Sequence, residues 1–385
     1  MINVAVLGTG AISDSHIRAY LKLTERCRIV ALADLEVAKA GAKAAQYGLA
    51  VPVFRDVTEL FGGPEFALAS VCLPPFAHAP AALELLRAGR HVLVEKPLAT
   101  SLAECDGLLA AAQAAGRLLS VVAQNRFKTP VWRLKRVLAA GLIGRVLQAQ
   151  VDSFWWRGPN YYDLWWRGTW EKEGGGCTMN HAVHHLDLFQ WLRGMPTEVQ
   201  AVLANLSHAN SEVEDFAAAT LRYADGGIGQ ITASLVHHGE AQQLAFQGER
   251  ASVAVPWQVQ AARARANGFP EANAVLVKEI QSFYDAQPPL TDEGHEGQIA
   301  NVLAAVEGRE PLLVDGRQGR QTLELISAIY QAGHQRGPVK LPLTPADPFY
   351  TRAGIRQHAR RFHQKTRNVA AFAHNEITLG RDYGA

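Results

Sequence analysis

Apolar and polar positions follow two different rhythms along the chain. In the first part, short β-favouring apolar runs alternate with longer helix-forming stretches. Ile2–Leu7 reads as a strand, Asp14–Lys22 as a helix and Arg28–Ala33 as the next strand. A helix over Val37–Tyr47, a short strand at Val51–Phe54, a buried-type strand at Phe66–Leu73, a helix over Ala79–Ala88 and a strand at His91–Val94 continue the pattern. Such alternation predicts an α/β fold with a doubly wound parallel sheet, whose ligands sit beyond the carboxyl ends of the strands. After Gly144 the rhythm changes. Segments 146–154, 197–206, 215–223 and 227–236 read as strands, Ala224–Gly227 is a hairpin-type turn, and antiparallel pairing with one covered face is expected.

Two helical patterns complete this half. One follows the triplet Gly174-Gly175-Gly176 and runs through Leu188, Phe189, Trp191 and Leu192 to a stop at Gly194. The other occupies Leu312–Gly337, with Leu323, Ile326, Ile329 and Tyr330 on its apolar face, and Pro338–Pro342 closes the unit. In residues 343–385, Ile355, Ala359, Phe362, Thr366, Val369 and Ala373 recur at helical steps, with Arg352, Arg356, Arg360, Arg361, Lys365 and Arg367 on other faces. An amphipathic helix is predicted, acting as a subunit arm or an intrachain brace rather than binding lipid or nucleic acid.

Composition narrows the class. At 385 residues the chain exceeds the size of a single core, and a formal net charge of +2 implies no polyanion partner. Cys27, Cys72, Cys105 and Cys177 are scattered without a CxxC pair, which fits reduced thiols better than disulfides or a zinc site. No apolar run is long enough to span a bilayer and no signal peptide is evident, so a soluble cytoplasmic protein is expected.

The candidate chemistry lies at strand ends and behind the glycine triplet. Gly8-Thr9-Gly10-Ala11-Ile12-Ser13 stands between strand and helix, as a dinucleotide-binding turn requires, although Ser13 replaces the third glycine. Asp34 closes the second strand about twenty residues on, where a ribose-binding acid belongs. A carboxylate there repels a 2′-phosphate, so NAD is expected and NADP disfavoured. Pro74-Pro75 and Glu95-Lys96-Pro97 end further strands, and Pro97 holds Lys96 in extended backbone. The glycine triplet is expected to let the backbone approach a bound molecule. On the helix behind it, Asn180, His184 and Asp187 share one face and read as the floor of a cleft. His181, His184 and His185 do not converge on a tetrahedral metal site, so no metal is expected. Between the first strand of this half and the triplet, Trp155–Trp170 is dense in aromatics and broken by Gly and Pro. It suits a loop whose rings pack on sugar C–H faces while Arg157, Arg167 and the Tyr161 hydroxyl bind the polar rim, or one that plugs the domain junction.

The glycine turn, Asp34, the run Ala88-Gly89-Arg90-His91-Val92-Leu93-Val94-Glu95-Lys96-Pro97 and the triplet followed by Asn180, His184 and Asp187 together resemble the Gfo/Idh/MocA oxidoreductases. The resemblance runs from residue 2 to about 342 and includes Gln124–Phe127 and Gly308–Gly316. It implies a Rossmann domain over 1–123 and an α+β domain with an open, mostly antiparallel sheet over 124–342, leaving 343–385 as an extension. Implied contacts to the cofactor are Gly8, Gly10, Ala11, Ile12, Asp34, Leu73, Pro74, His78, Glu95, Lys96, Asn125, Trp166 and Arg167. Implied contacts to a sugar or cyclitol substrate are Lys96, Arg126, Arg157, Tyr161, Asn180 and His184. A homo-oligomer, dimer or tetramer, is expected. Lys96 matches the lysine of the family's EKP motif and His184 its catalytic histidine. Asn180 stands where the family often has Asp, so it keeps hydrogen bonding but not proton transfer. The expected reaction is hydride transfer between a nicotinamide and a carbinol carbon, with His184 as base near its ordinary pKa and Lys96 polarising the reacting oxygen. The reverse assignment of the base stays open. So do a redox-neutral reaction on retained NAD (glycoside cleavage or epimerisation) and a non-catalytic dinucleotide sensor.

Overall fold

The computed structural model describes residues 1–370 and 372. The apolar runs of the first part pair as a six-stranded parallel sheet, in which strand Ile2–Leu7 lies between Cys27–Ala33 and Leu68–Val71. Val53–Phe54 extends one side, and His91–Val94 then Leu119–Val121 extend the other. Chain order therefore reverses at the first strand, which opens the crevice where such sheets take ligands. The helix expected from Ala79 begins earlier, at Pro75. Proline fits the first helical position because its missing N–H has no partner there anyway.

The second half forms an eight-stranded sheet that is antiparallel except where Ile228–Ser234 runs parallel to Val146–Trp156. Strands Glu198–Ala204, Phe216–Arg222 and Ile228–Ser234 fall within the ranges the pattern gave. The long helix Gly316–Gln335 packs on this sheet and on helix Leu102–Ala115 of the first half. Its apolar face, with Leu323, Ile326, Ile329 and Tyr330 buried, thus joins the two halves. All four cysteines are buried and unpaired with one another.

The C-terminal segment corrects the expected amphipathic helix. Among the described residues of that segment only Arg352–His358 is α-helical, and Ala359 turns to extended backbone. Ala373 lies outside the described residues. Beyond the helix, tertiary acceptors take the N–H groups that a longer helix would have bonded internally. Phe362 donates to the Glu212 carbonyl, Thr366 and Arg367 both donate to Asn210 Oδ1, and Val369 donates to the Asp163 carbonyl. In return Trp165 donates to the Val369 carbonyl, and Lys365 Nζ donates to the carbonyls of Tyr162 and Leu164. The segment is an intrachain brace strapped across the aromatic loop.

Asn210 is the latch of that brace, since its Nδ2 also donates to Asp163 Oδ1 at 2.8 Å and to the Arg367 carbonyl at 3.0 Å. Replacing it with Ala removes the partner of several part-buried groups. Asn210→Ala is expected to cost about 1–2 kcal/mol in urea unfolding. Increased protease cleavage near residue 365 should accompany that loss.

Candidate functional site

At the edge of the parallel sheet, the first glycine turn is built to approach a ligand. Gly8 has φ +86°, and a β-carbon there would press on the Cys72 carbonyl, whereas one on Gly10 would project into open space. Ile12 caps helix Ser13–Lys22 without a side-chain acceptor, so no side chain of the cap competes with an anion for the positive end of the helix. Ser13, in the place of the third glycine, is buried and donates to the Gly10 carbonyl at 2.7 Å, which preserves the tight turn. Asp34 Oδ2 accepts from both the N–H and the hydroxyl of Thr9, at 2.8 and 2.7 Å. These features fit a dinucleotide, with the pyrophosphate on the helix end and a ribose on Asp34. Ala11, Ile12, Leu73 and Pro74 remain at least partly exposed around this cradle. His78 does not belong with them. It is fully buried, with its ring nitrogens 2.7 Å from the carbonyls of Leu73 and Pro97, and it ties two cofactor-side loops together instead of touching a ligand.

The glycine triplet has a different use from the one expected. A β-carbon on Gly175 would fall on the Tyr330 hydroxyl, and one on Gly176 on the Glu214 carbonyl, so the close approach is to the protein itself. Glu214 Oε2 accepts from the Gly176 N–H and Oε1 from the Thr178 N–H, both at 3.0 Å. The Tyr330 hydroxyl donates to Glu214 Oε1 and accepts from the Gly176 and Met179 N–H groups.

Held in this way, the chain makes one short helix, Cys177–Asn180, breaks at His181–Ala182, and starts a second, Val183–Arg193. The single helix read from the sequence is therefore two. Asn180 stays partly exposed beside Lys96. Lys96 Nζ donates to its main-chain carbonyl at 3.2 Å and approaches Oδ1 at 3.5 Å. Lys96 and His184 line one cleft between the halves, together with Asn125, Val121–Ala123 and the Gly319–Ile326 stretch of the long helix.

Asp187 lines the same cleft as His184, but its carboxylate is taken up by a buried arginine. Arg126 meets it with two hydrogen bonds, at 2.7 and 2.8 Å, and donates a third to Gln318 Oε1. Arg126 has no exposed surface, so it ties the start of the second half to two of its helices and the expected substrate contact is withdrawn. His181 packs between Trp155 and Tyr161, and His185 shares a hydrogen bond with Ser153. Neither ring joins His184. The metal-compatible group found among the described residues lies elsewhere, where His16 and His295 flank Glu95 Oε1 at 3.1 and 3.4 Å.

In the aromatic loop Arg167 stacks over Trp166 and Tyr161, at 4.4 and 4.2 Å, and bonds the Tyr161 hydroxyl. Arg157 lies over Trp155 and pairs with Glu240 at 2.6 Å. Burial pushes the Lys96 amine below its ordinary pKa, and Arg167 adds to that, while Glu95 and Glu173 oppose it. Burial and the neighbouring Lys96 hold His184 well below the usual imidazole range, contrary to the small shift expected. Sequence reasoning missed Thr9, Glu173, Glu214, Tyr330 and His295. Only Glu173, directly before the triplet, carried a positional signal.

A nucleotide cradle facing a lysine, an amide and an imidazole across a two-domain cleft defines a dinucleotide-dependent oxidoreductase. The chain belongs to the Gfo/Idh/MocA oxidoreductases: the family's "NAD-binding Rossmann fold" matches residues 2–123 and its "C-terminal alpha/beta domain" residues 135–341. Among curated relatives, D-glucoside 3-dehydrogenase of Escherichia coli is 23% identical, covering 88% of this chain and 97% of that one. Inositol 2-dehydrogenase of Gluconacetobacter diazotrophicus is 33% identical over 50% of this chain and 54% of that one. The WlbA dehydrogenase of Bordetella pertussis, solved with NADH and UDP-GlcNAcA, superposes with a TM-score of 0.78 at 29% identity, covering 89% and 98% of the two chains. Sugar and cyclitol dehydrogenases thus surround this chain, and no described helix is long and apolar enough to cross a membrane.

Burial raises the Glu214 carboxyl to about 7, although its hydrogen bonds favour the charged form. The folded state then keeps a proton that the unfolded state releases from about pH 4.3 upward. Stability from this group is complete below that pH and is lost as pH rises towards 7. Glu214→Gln should flatten the fall of melting temperature between pH 4.5 and 7, read as a difference in slope from the parent protein.

Proposed function

We propose that the protein is an NAD-dependent dehydrogenase acting on a secondary carbinol of a sugar, sugar derivative or cyclitol. The observation that carries this reading is the meeting of Lys96 and His184 in one cleft beside the edge of the NAD-binding sheet, with Asn180 hydrogen-bonded to Lys96. The names of the relatives support the substrate class. Asp34 supports NAD over NADP, since a 2′-phosphate would meet its carboxylate.

Bound in this cradle, NAD supplies the hydride acceptor. Lys96 and His184 then face the substrate hydroxyl, and one of them takes its proton. We assign the proton to Lys96, reversing the first expectation. Desolvation opposes the charged form of both groups, but an imidazolium at His184 has only Glu95 to favour it against Lys96, whereas both Glu95 and Glu173 favour an ammonium at Lys96 against Arg167. Neutral His184 serves as a hydrogen-bonding partner that orients the reacting oxygen. Asn180 accepts from the Lys96 amine, and Arg157, Tyr161 and the Trp166–Arg167 pair grip the ring and its remaining hydroxyls.

The test follows absorbance of reduced nicotinamide with NAD, then NADP, against inositols, aldoses, glycosides, anhydrosugars and nucleotide-linked uronic acids. Formation of NADH with one member supports the reading. Altered sugar without net NADH transfers it to redox-neutral chemistry on retained cofactor.

Lys96→Met is expected to lower turnover by about a thousandfold while NAD affinity changes less than about twofold. Because oxidation needs the neutral amine, kcat/KM should rise with pH along a limb lying below the ordinary lysine range. That limb should vanish in Lys96→Met.

A further inference from the structure

One buried carboxylate beside the cleft is left unused by the reaction just described. Glu173 has no exposed surface. Its Oε1 accepts from Asn180 Nδ2 and from Arg167 Nη1, the latter at 3.3 Å, and its Oε2 accepts from the Gly168 N–H at 2.6 Å. A side-chain amide donates only through nitrogen and accepts only through oxygen. With Nδ2 tied to the carboxylate, Oδ1 is the atom that faces Lys96. The flipped amide would set oxygen against the Glu173 carboxylate and N–H groups against the Lys96 ammonium, two repulsive contacts in place of two attractive ones.

We propose that Glu173 is a positioning residue for the proton-transfer step, holding the Asn180 amide and the Arg167 guanidinium in the arrangement that presents an acceptor to Lys96 Nζ. The proposal rests on the reading of Lys96 as the group that carries the proton. Asn180 alone cannot keep this orientation, because its two ends are nearly the same shape and only their partners tell them apart. Arg167 is likewise drawn back from solvent by a carboxylate that cannot follow it outward. Both halves of the polar rim therefore converge on one buried charge.

The surrounding charges bear this out. Lys96 is flanked by Glu95, Arg167, Glu173, His181 and His184. Glu173 is flanked by Arg167 and Lys365, with Tyr161 and Tyr162 beside it. Burial raises its proton affinity, while Arg167, the Gly168 N–H, Asn180 and Lys365 pull it back. The tail brace thus reaches the site through Lys365.

Glu173→Gln removes the charge and frees the amide to turn. With the substrate found in the panel, turnover is expected to fall about ten- to hundredfold. NAD affinity should hold, and the acid limb of the oxidation profile should move to lower pH, because a negative charge that raises the Lys96 proton affinity is gone. In an Asn180→Ala background the same substitution should cost much less, since Glu173 acts through Asn180. Glu173→Asp keeps the charge and should return the limb towards its original position, which also serves if the Gln variant folds poorly. Competitive acetylation of Lys96, read by mass spectrometry across pH, reports its proton affinity without any turnover. It therefore tests Glu173 even if no sugar is oxidised and the dehydrogenase reading fails. An unmoved labelling profile in Glu173→Gln, or fully additive losses with Asn180→Ala, would overturn the proposal.

Discussion

The cleft depends on a carboxylate that no solvent reaches. Glu214 precedes strand Phe216–Arg222, and Tyr330 sits on the long helix, so the clamp they form joins the sheet of the second half to the helix packed on it. Between them they accept the N–H groups of Gly176, Thr178 and Met179. These are the orphan donors at the start of a helix, and leaving them buried and unmet would cost roughly 1–3 kcal/mol each. The glycines follow from this constraint, because backbone can lie against the clamp only where no β-carbon intervenes. Asn180 and His184 inherit their positions from that anchoring, on either side of the break that the loop imposes.

A second buried network fixes the helix of His184 within the second half. Arg126 comes from the segment that follows the parallel sheet, Asp187 from the helix that carries His184, and Gln318 and Thr322 from the helix packed across both. Desolvation makes such a pair a poor source of net stability, yet removing one partner costs about 3–5 kcal/mol because the other charge is stranded. Its physical effect is registry. The pair is satisfied in one placement of helix Val183–Arg193 against the segment that leaves the parallel sheet, and from that helix His184 lines the cleft with Lys96.

The sequence carried the strands because each is an apolar run punctuated by glycine or proline, and the nucleotide cradle because its parts lie close together along the chain. It carried Lys96, Asn180 and His184 as candidates, but not what stands opposite them. Helical spacing put Asp187 on the face of His184, yet spacing cannot show that an arginine sixty-one residues earlier claims it. The same limit misread the tail. Its three- and four-residue periodicity is real, but Asn210 and neighbouring carbonyls offer the backbone better partners than another turn of helix. Nothing in the sequence marks Glu173 and Glu214 as buried, and the depressed proton affinity of His184 exists only once the fold buries the ring and brings Lys96 beside it.

Charge balance explains how this cleft can select a substrate. The cations nearest the reacting centre each face a carboxylate: Lys96 is beside Glu95 and Glu173, Arg167 is paired with Glu173, and Arg157 with Glu240. A cleft balanced in this way draws little on long-range attraction, so recognition rests on direction: the fork of a guanidinium held flat on an aromatic ring, an amide whose oxygen is fixed, a neutral imidazole. Those are donors and acceptors that match ring hydroxyls and do not require a charged ligand. Since the partners of Lys96 are buried, salt screens them weakly, and its proton affinity is set by the fold more than by the medium.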